Sequence, residues 1–520
     1  MNLTTDAWIP IVWKNGKTGT ISLLEAFARS REIHDLAVRP HERIALMRLL
    51  ICISQVALDG PAEYDDWKIC LPRIVPTALD YFDRWRHAFE LFGDGQRFLQ
   101  VANLKQPTTK SSGDDEDEGN STSKLDLALA TGNNTTLFDN AGGSERTFTC
   151  GQLALMLTTF QCFSPGGRIG VALWNGHETS GKGSSDHAPC LAGGMLHALI
   201  RGDNLVASVH KNLLTKRQAD QLFGKDSWGR PVWELMPQRL ADAKAVQNAT
   251  RTYLGRLVPL TRAIWLADDC QSLILANGLE YGSYADGWRE PTATIVTRKI
   301  SGQVDERVVL RASLEEAAWR ELHSLTVKAV GQKPGGPVAL QNISEDEQAF
   351  DFWVGALVAN KAKPVDITES VFHIPAAMLK ETSQRVYEMG VGFAKTTEFR
   401  LKRAVSIYHK VLGDDIGRPE LKNRRQQIQS SATAQFWTDI EKAVSRLLEV
   451  VAAPESFGLK AEWHKTVWGQ FVWRTALEAY ERACPHDTSR QLCAYARGLK
   501  TLLSAPAKHA EVEAEKEAQA

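Results

Sequence analysis

After Pro375 the sequence changes character, and that change narrows the possible folds more than any other feature. Amphipathic patterns at helical period cover Ala376–Leu412, Leu421–Val451, Ala461–Ala483 and Thr488–Leu503. The breaks between them, Gly413–Pro419, Ala452–Gly458 and Cys484–Asp487, are short. Short links between long helices force neighbours to run antiparallel, so residues 373–504 are expected to form a four-helix bundle. Gly390 and Gly392 are expected to bend or interrupt its first helix. Residues 505–520 form a polar tail that has no need to fold.

The remaining 372 residues read differently, and 520 residues are too many for one hydrophobic core. Ala7–Trp13 reads as a strand, followed by a turn at Lys14–Lys17 and a second strand. Ser22 with Glu25 makes a capping box for a helix. Residues 41–58 are apolar almost all round, the mark of a buried helix, and Asp59-Gly60-Pro61 stops it. A further helix is expected over Pro76–Phe92. Residues 110–123 are acidic and lack an apolar anchor, so they are expected to be a disordered insertion. Thr149 and Gln152 cap a helix over Leu153–Phe160, which Ser164–Gly167 ends. Met195–Ile200 reads as a strand, and Asp203 or Asn204 caps the helix after it. Ala293–Thr297 is a strand, Val308–Val330 a loop and helix, and Phe352–Phe372 a hairpin around Asn360–Pro364. The expected class is α+β: a large, irregular, mixed α/β domain over 1–372, then the bundle.

Lys and Arg number 61 against 62 Asp and Glu, a balance that argues against a free-standing DNA binder. A local basic groove can still hide within such an average. The eight cysteines are scattered without a CxxC pair, which reads as reduced thiols in a cytosolic protein. His177, His187 and Cys190 lack the paired spacing of zinc ligands, so no metal is expected. No signal peptide and no membrane-length apolar run are visible, which points to the cytoplasm and to no membrane partner.

Between Thr131 and Gly202, a Leu137-Phe138-Asp139-Asn140 tip and the pair Gly193-Gly194 flank one short apolar helix. Glycine lets a backbone approach a ligand closely. No acid, base or nucleophile stands out beside these loops, so the reading is binding without catalysis and without a cofactor. The enzyme alternative rests on Gly176–Ser184, which nearly matches a phosphate loop. There Gly183 occupies the hydroxyl position, and Asp186-His187-Ala188-Pro189 follows where a helix should start. A polar loop is the better reading, and a pure scaffold is the other alternative. Lys395, Arg400, Lys402, Arg403, Lys410, Lys422, Arg424 and Arg425 gather at facing ends of the first two bundle helices. Such a cluster suits phosphate contacts, or else is a solvated helix face.

In their order along the chain these features resemble the CasA family, the large subunit of the type I-E CRISPR surveillance complex Cascade. The resemblance is carried by Met1-Asn2-Leu3 with Asp6–Pro10, the buried helix around Leu50–Gln55, Leu137–Asn140, Ala188-Pro189 with Gly193-Gly194, Arg201–Asn204, Gly287–Pro291, the late hairpin and the terminal bundle. It implies a non-catalytic subunit that holds the 5′ handle of the guide RNA. It also implies recognition of the protospacer-adjacent motif in double-stranded DNA, help in opening the duplex for R-loop formation, and recruitment of a helicase-nuclease for antiviral defence. Phe138 and Asn140 match the loop that contacts the guide, and Gly193 and Gly194 match the glycine loop that enters the minor groove. Asn360, Lys361 and Ala362 match the wedge tip, where the best-known member carries Gln in place of Lys361. The family's lysine finger has no match, because Asp268, Asp269, Cys270 and Gln271 stand in its neighbourhood. The cysteine clusters of some members are absent too.

Overall fold

The computed structural model describes the whole chain except residues 107–119, 130–145, 168, 182–187, 192, 301–303, 345, 361–362, 414–418, 454–461 and 504–520. The chain mixes helices with several small sheets and ends in a helical region, an α+β arrangement. Residues 110–119 of the expected disordered insertion and the 505–520 tail lie outside the described residues, but Asn120–Ser121 pairs as a strand with Ser272 and Leu273 and Thr122 is buried, so the expectation fails for 120–123.

At the centre of the N-terminal part is the helix Pro40–Leu58, buried on nearly every side. Pro40 fits its first turn, where a missing N–H costs nothing, and Asp59 closes it in the left-handed conformation at φ 53°. Midway along, Arg48 is 2% exposed and meets Glu290 at 2.8 Å. Arg256, also 2% exposed, takes the other oxygen of Glu290 at 2.9 Å. The remaining donors of Arg48 reach the carbonyls of Leu257 and Arg256 at 2.8 and 2.7 Å. Burial works against the Glu290 carboxylate, but the two guanidiniums outweigh it and hold its pKa below the usual range. The neighbouring Arg289 has no carboxylate partner among the described residues and donates instead to carbonyls of Gly331, Lys333 and Gly335. The charged part of Gly287–Pro291 is therefore an internal tie between distant segments.

Several elements differ from their sequence reading. The helix expected over Pro76–Phe92 runs from Leu71 to Trp85, with Pro76 inside it and a 3₁₀ turn at Arg86–Phe89. Its stripe of Ile74, Ala78, Tyr81 and Phe82 is buried, and that packing outweighs the hydrogen bond the proline forfeits. Residues 308–330 hold the end of a strand and short turns, with only Leu322–Leu325 as α-helix. The helix from Thr149's capping box extends over Cys150–Phe163. Asn204, not Asp203, accepts from Ala207 N–H to cap Leu205–Lys211.

A three-stranded sheet sets His197–Arg201 beside Ala349–Asn360 and then Lys363–Pro375. Phe352 lies opposite Phe372 on one side and Ile200 on the other. The two long strands form the expected hairpin and run out together toward residues 361–362. A register shift between Val358 and Ala359 puts Pro364 opposite Ala359, where a strand edge tolerates a proline.

Strand geometry persists to Pro375, so the first long helix starts at Glu381 after a 3₁₀ turn over Ala376–Leu379. That helix continues unbroken to Val411 through both Gly390 and Gly392. Gly390 serves packing and causes no bend: a Cβ there would meet Leu447 Cδ1 at 2.4 Å, and Trp468 Nε1 donates to its carbonyl at 2.9 Å. Gly390→Ala is therefore expected to destabilise the protein by about 1–3 kcal/mol through overpacking. Gly392, which has open space around it, is the control. Equal denaturation midpoints for the two alanine variants would refute this account. The second expected helix is divided into Pro419–Glu441 and Val444–Ala452, so the described C-terminal residues form five helices with Val467–Ala483 and Ser489–Leu503.

Trp319 joins the two regions. It is 1% exposed, its ring lies 6.0 Å from Trp437 and 6.1 Å from Trp468, and its carbonyl accepts from Tyr387 Oη at 2.7 Å. Arg320 covers the Trp437 ring at 3.5 Å.

Candidate nucleic-acid interface

Gly193 and Gly194 have φ of +67° and +91°, in the left-handed region that favours glycine. The turn that holds them is tied down from behind. Gly194 N–H and Met195 N–H both donate to Leu191 O, at 2.7 and 3.0 Å. His197 is fully buried, with Nε2 at 2.8 Å from Cys190 O and Nδ1 at 2.8 Å from Thr292 Oγ1. Burial lowers the His197 pKa to about 4, so near neutrality the ring is uncharged and Nε2–H donates to Cys190 O.

On its outer side the loop meets two further elements. A Cβ on Gly194 would lie 3.6 Å from Val358 Cα, close to the hairpin tip. A Cβ on Gly193 would lie 2.9 Å from Arg311 Cζ. Ala312 N–H donates to Gly194 O at 2.9 Å, which fixes Arg311 beside the loop. Glycine loop, hairpin and Arg311 thus converge on one surface. The pair is not equally presented, however. Gly194 is buried with its N–H and carbonyl both used, and Gly193 is half-buried, its N–H meeting no acceptor among the described residues. The expectation that both glycines bare their backbone is corrected to Gly193 alone.

Other expected site residues are placed unevenly. Phe138, Asn140, Lys361 and Ala362 lie outside the described residues, and Asn360 is placed by its backbone pairing with Lys363. In the bundle, Lys395 pairs with Glu316 at 3.5 Å and Lys402 with Glu398 at 2.7 Å. Arg400 lies over the Trp473 ring at 5.3 Å, and Arg425 is half-buried. Arg403, Lys410, Lys422 and Arg424 remain exposed, and a bond from Gln429 Nε2 to Lys402 O at 2.8 Å ties the two helices together there. The basic patch is narrower than the sequence suggested, because Glu316 and Trp473 reach it from elsewhere in the fold and Glu398 pairs with Lys402 one turn away on the same helix.

The described part of the phosphate-loop alternative, as far as Gly181, does not have the form such a loop requires, and Lys182, Gly183 and Ser184 lie outside the described residues. Asn175 and Gly176, at φ 49° and 78°, form a two-residue turn between the strands Leu173–Trp174 and His177–Glu178. The motif's first glycine is spent on a hairpin, and the chain returns as strand where a phosphate cradle is required. His177 is exposed beside Arg239 and Cys190 is fully buried, while His187 lies outside the described residues. In the neighbourhood assigned to the missing lysine finger, Asp268 pairs with Arg97 at 2.9 Å.

Sequence reasoning placed a strand at Ala293–Thr297 but missed its antiparallel partner: Ile295–Ile300 pairs with Val304–Val309 in a hairpin that carries Arg298, Lys299 and Arg307 and leads to Arg311. The signal was present as two β-branched runs flanking Ser301-Gly302. Between this hairpin and residues 281–288 lies a cavity of about 540 Å³, lined in part by Met195, Tyr284, Arg307 and Arg311.

Comparison with known proteins identifies the family. The family model described as CRISPR-associated protein Cse1 matches residues 2–479. A CRISPR-associated protein CasA/Cse1 of Thermus thermophilus is 28% identical over 530 residues, covering 96% of this chain and 95% of the relative. The crystal structure of CasA from Thermus thermophilus superposes with a TM-score of 0.73 at 22% identity, covering 96% of this chain and 98% of that one. A chain from a structure described as a CRISPR RNA-guided surveillance complex gives 0.67 at 16% identity, covering 97% and 99%. With a family model spanning nearly its whole length, the chain belongs to the CRISPR-associated Cse1 family.

Proposed function

We propose that this chain is the large subunit of a type I-E Cascade complex in the cytoplasm, where it inspects double-stranded DNA for the protospacer-adjacent motif without catalysing a reaction. The carrying observation is the convergence of Gly193, the hairpin end at Val358 and Arg311 on one surface. A bare backbone beside a projecting hairpin suits close approach to a groove, and the similar chain within a surveillance complex supports the assembly. In this reading Phe138 and Asn140 hold the guide RNA handle, while Asn360, Lys361 and Ala362 wedge beside the motif and help open the duplex. Arg403, Lys422 and Arg424 contact DNA phosphates, with Lys395, Arg400, Lys402 and Arg425 in support. Other Cascade subunits and the helicase-nuclease complete the partners.

The test is equilibrium binding of short duplexes carrying different motifs to reconstituted Cascade, with either the native chain or Lys361→Ala combined with Gly193→Asp. The aspartate adds a Cβ where Arg311 already sits and a charge that repels phosphate. Motif discrimination is expected to fall at least about tenfold, the lower end of what one base contact supplies, with assembly intact. Full discrimination by the variant complex would remove these loops from the reading.

A further inference from the structure

We propose that Cys150 and Cys270 form a reversible disulfide, a redox staple between the start of the helix Cys150–Phe163 and the turn at residues 267–272. The two cysteines are 120 positions apart in the chain, yet their sulfurs lie 3.3 Å from each other. A disulfide bond is about 2.05 Å long, so an approach of about 1.3 Å completes it. Both residues are half-buried, and both are free thiols. This inference stands apart from the duplex-inspecting function proposed above.

Each sulfur is placed by its own element. Cys150 is the first residue of its helix, behind the capping box of Thr149 and Gln152. Free N–H groups and the helix dipole favour negative charge at such a position. Cys270 stands at φ 64°, in the left-handed region where Gly and Asn are the common occupants. Its turn is closed by Cys270 N–H to Ala267 O at 3.1 Å and by Ala267 N–H to Ser272 O at 2.9 Å. Thr122 binds the same turn, with N–H donating to Gln271 O at 3.0 Å and Oγ1 donating to Cys270 O at 3.2 Å. The chain therefore leaves this turn at Thr122 and comes back to it at Cys150, where the disulfide adds a covalent tie. Two other thiols adjoin each other, Cys162 and Cys190, with Cys190 N–H donating to Cys162 O at 3.2 Å. Both are fully buried, so an oxidant in solution reaches them only by opening the core.

Closing the bond needs a two-electron oxidant, and a small-molecule disulfide of the glutathione class supplies it. The Cys150 thiolate attacks one sulfur of oxidised glutathione, forming a mixed disulfide and releasing one glutathione thiolate. Cys270 then gives its proton to solvent and attacks the Cys150 sulfur, which closes the protein disulfide and releases the second glutathione. The two cysteines lose two electrons and two protons in all, and the oxidant gains them. Burial first, and then the hydrogen bond and charge of Cys150, push the Cys270 thiol up to about 11. The share due to Cys150 disappears once that sulfur is capped, so more of Cys270 is thiolate at the stage that uses it. A reducing environment keeps the pair as thiols, and an oxidising load closes it.

The experiment equilibrates the full chain in buffers of oxidised and reduced glutathione at several ratios, quenches with an alkylating reagent and maps the peptides by mass spectrometry. The native chain is compared with Cys150→Ser and Cys270→Ser. In the native chain the main product is expected to be a cross-link between the peptides holding residues 150 and 270, lost again in dithiothreitol. Cys162 and Cys190 are expected to remain alkylated as thiols. Cys270→Ser is expected to lose the cross-link and stop at a glutathione adduct on Cys150. Urea denaturation of the native chain is expected to shift to a higher midpoint on oxidation, because the bond constrains the unfolded chain. Glutathione adducts on the native chain without the cross-link would overturn the proposal. Oxidation of Cys162 and Cys190 as fast as Cys150 and Cys270 would do the same, and a cross-link that lowers the midpoint would mark a distorted pairing and refute the staple. The native chain alone decides these outcomes, so a serine variant that fails to fold leaves the test intact.

Discussion

Glu290→Ala is expected to lower the free energy of unfolding by about 3–5 kcal/mol, the cost of leaving buried charge without its partner. Two guanidiniums share this one carboxylate, at 2.8 and 2.9 Å, and all three side chains are at most 3% exposed. Arg48 keeps its carbonyl partners after the substitution, but no acid remains to neutralise it. Glu290→Gln preserves the shape and part of the hydrogen bonding, so the difference between the variants measures the charge itself. Because the Glu290 pKa is lowered in the folded state, its contribution is complete above the ordinary glutamate range and is lost as pH falls through the folded value. The check is chemical denaturation of both variants at neutral and acidic pH. A cost under about 1 kcal/mol for the alanine variant would show that the network carries no net stabilisation.

A comparable loss, about 3–5 kcal/mol, is expected for Trp319→Ala. Here the physical cause is the cavity left where the indole now packs against Trp437 and Trp468, while the bond from Tyr387 Oη to the residue 319 carbonyl is kept. Because Trp319 precedes Pro375 and the rings it packs against follow it, the effect should fall on the joint between the two regions. Limited proteolysis is expected to cut the variant near the start of the helix Glu381–Val411 while the sheet around Phe352 stays protected. Uniform loss of protection throughout the chain would indicate one indivisible cooperative unit and contradict a weakened joint.

What could be read from the sequence was what neighbours along the chain decide. Ser22, Thr149 and Asn204 each accept a hydrogen bond at a helix start, and each signal lies within a few residues. The hairpin ending at Pro375 declared itself by two apolar arms around a polar turn. Gly390 misled because a glycine within a helix is locally a weak point, and only the approach of Leu447 explains it. Lys395 and Arg400 read as free cations because Glu316 and Trp473 reach them through the fold. The Gly176 motif matched a pattern whose meaning depends on the backbone it adopts, and here its first residues form a turn and a strand. Arg311 was invisible for the same reason in reverse: nothing in its own stretch marks it, and its setting is supplied by Gly193.

The seat of Trp319 has a mechanical meaning. Only a short segment separates it from Arg311, and that segment starts from the backbone tie of Ala312 to Gly194. A swing of the terminal helices must either pull the indole from between Trp437 and Trp468 or drag residues 312–319 along. In the first case the joint acts as a clutch that slips under load. In the second it is a tiller, and the angle of the helices steers the guanidinium over the glycine.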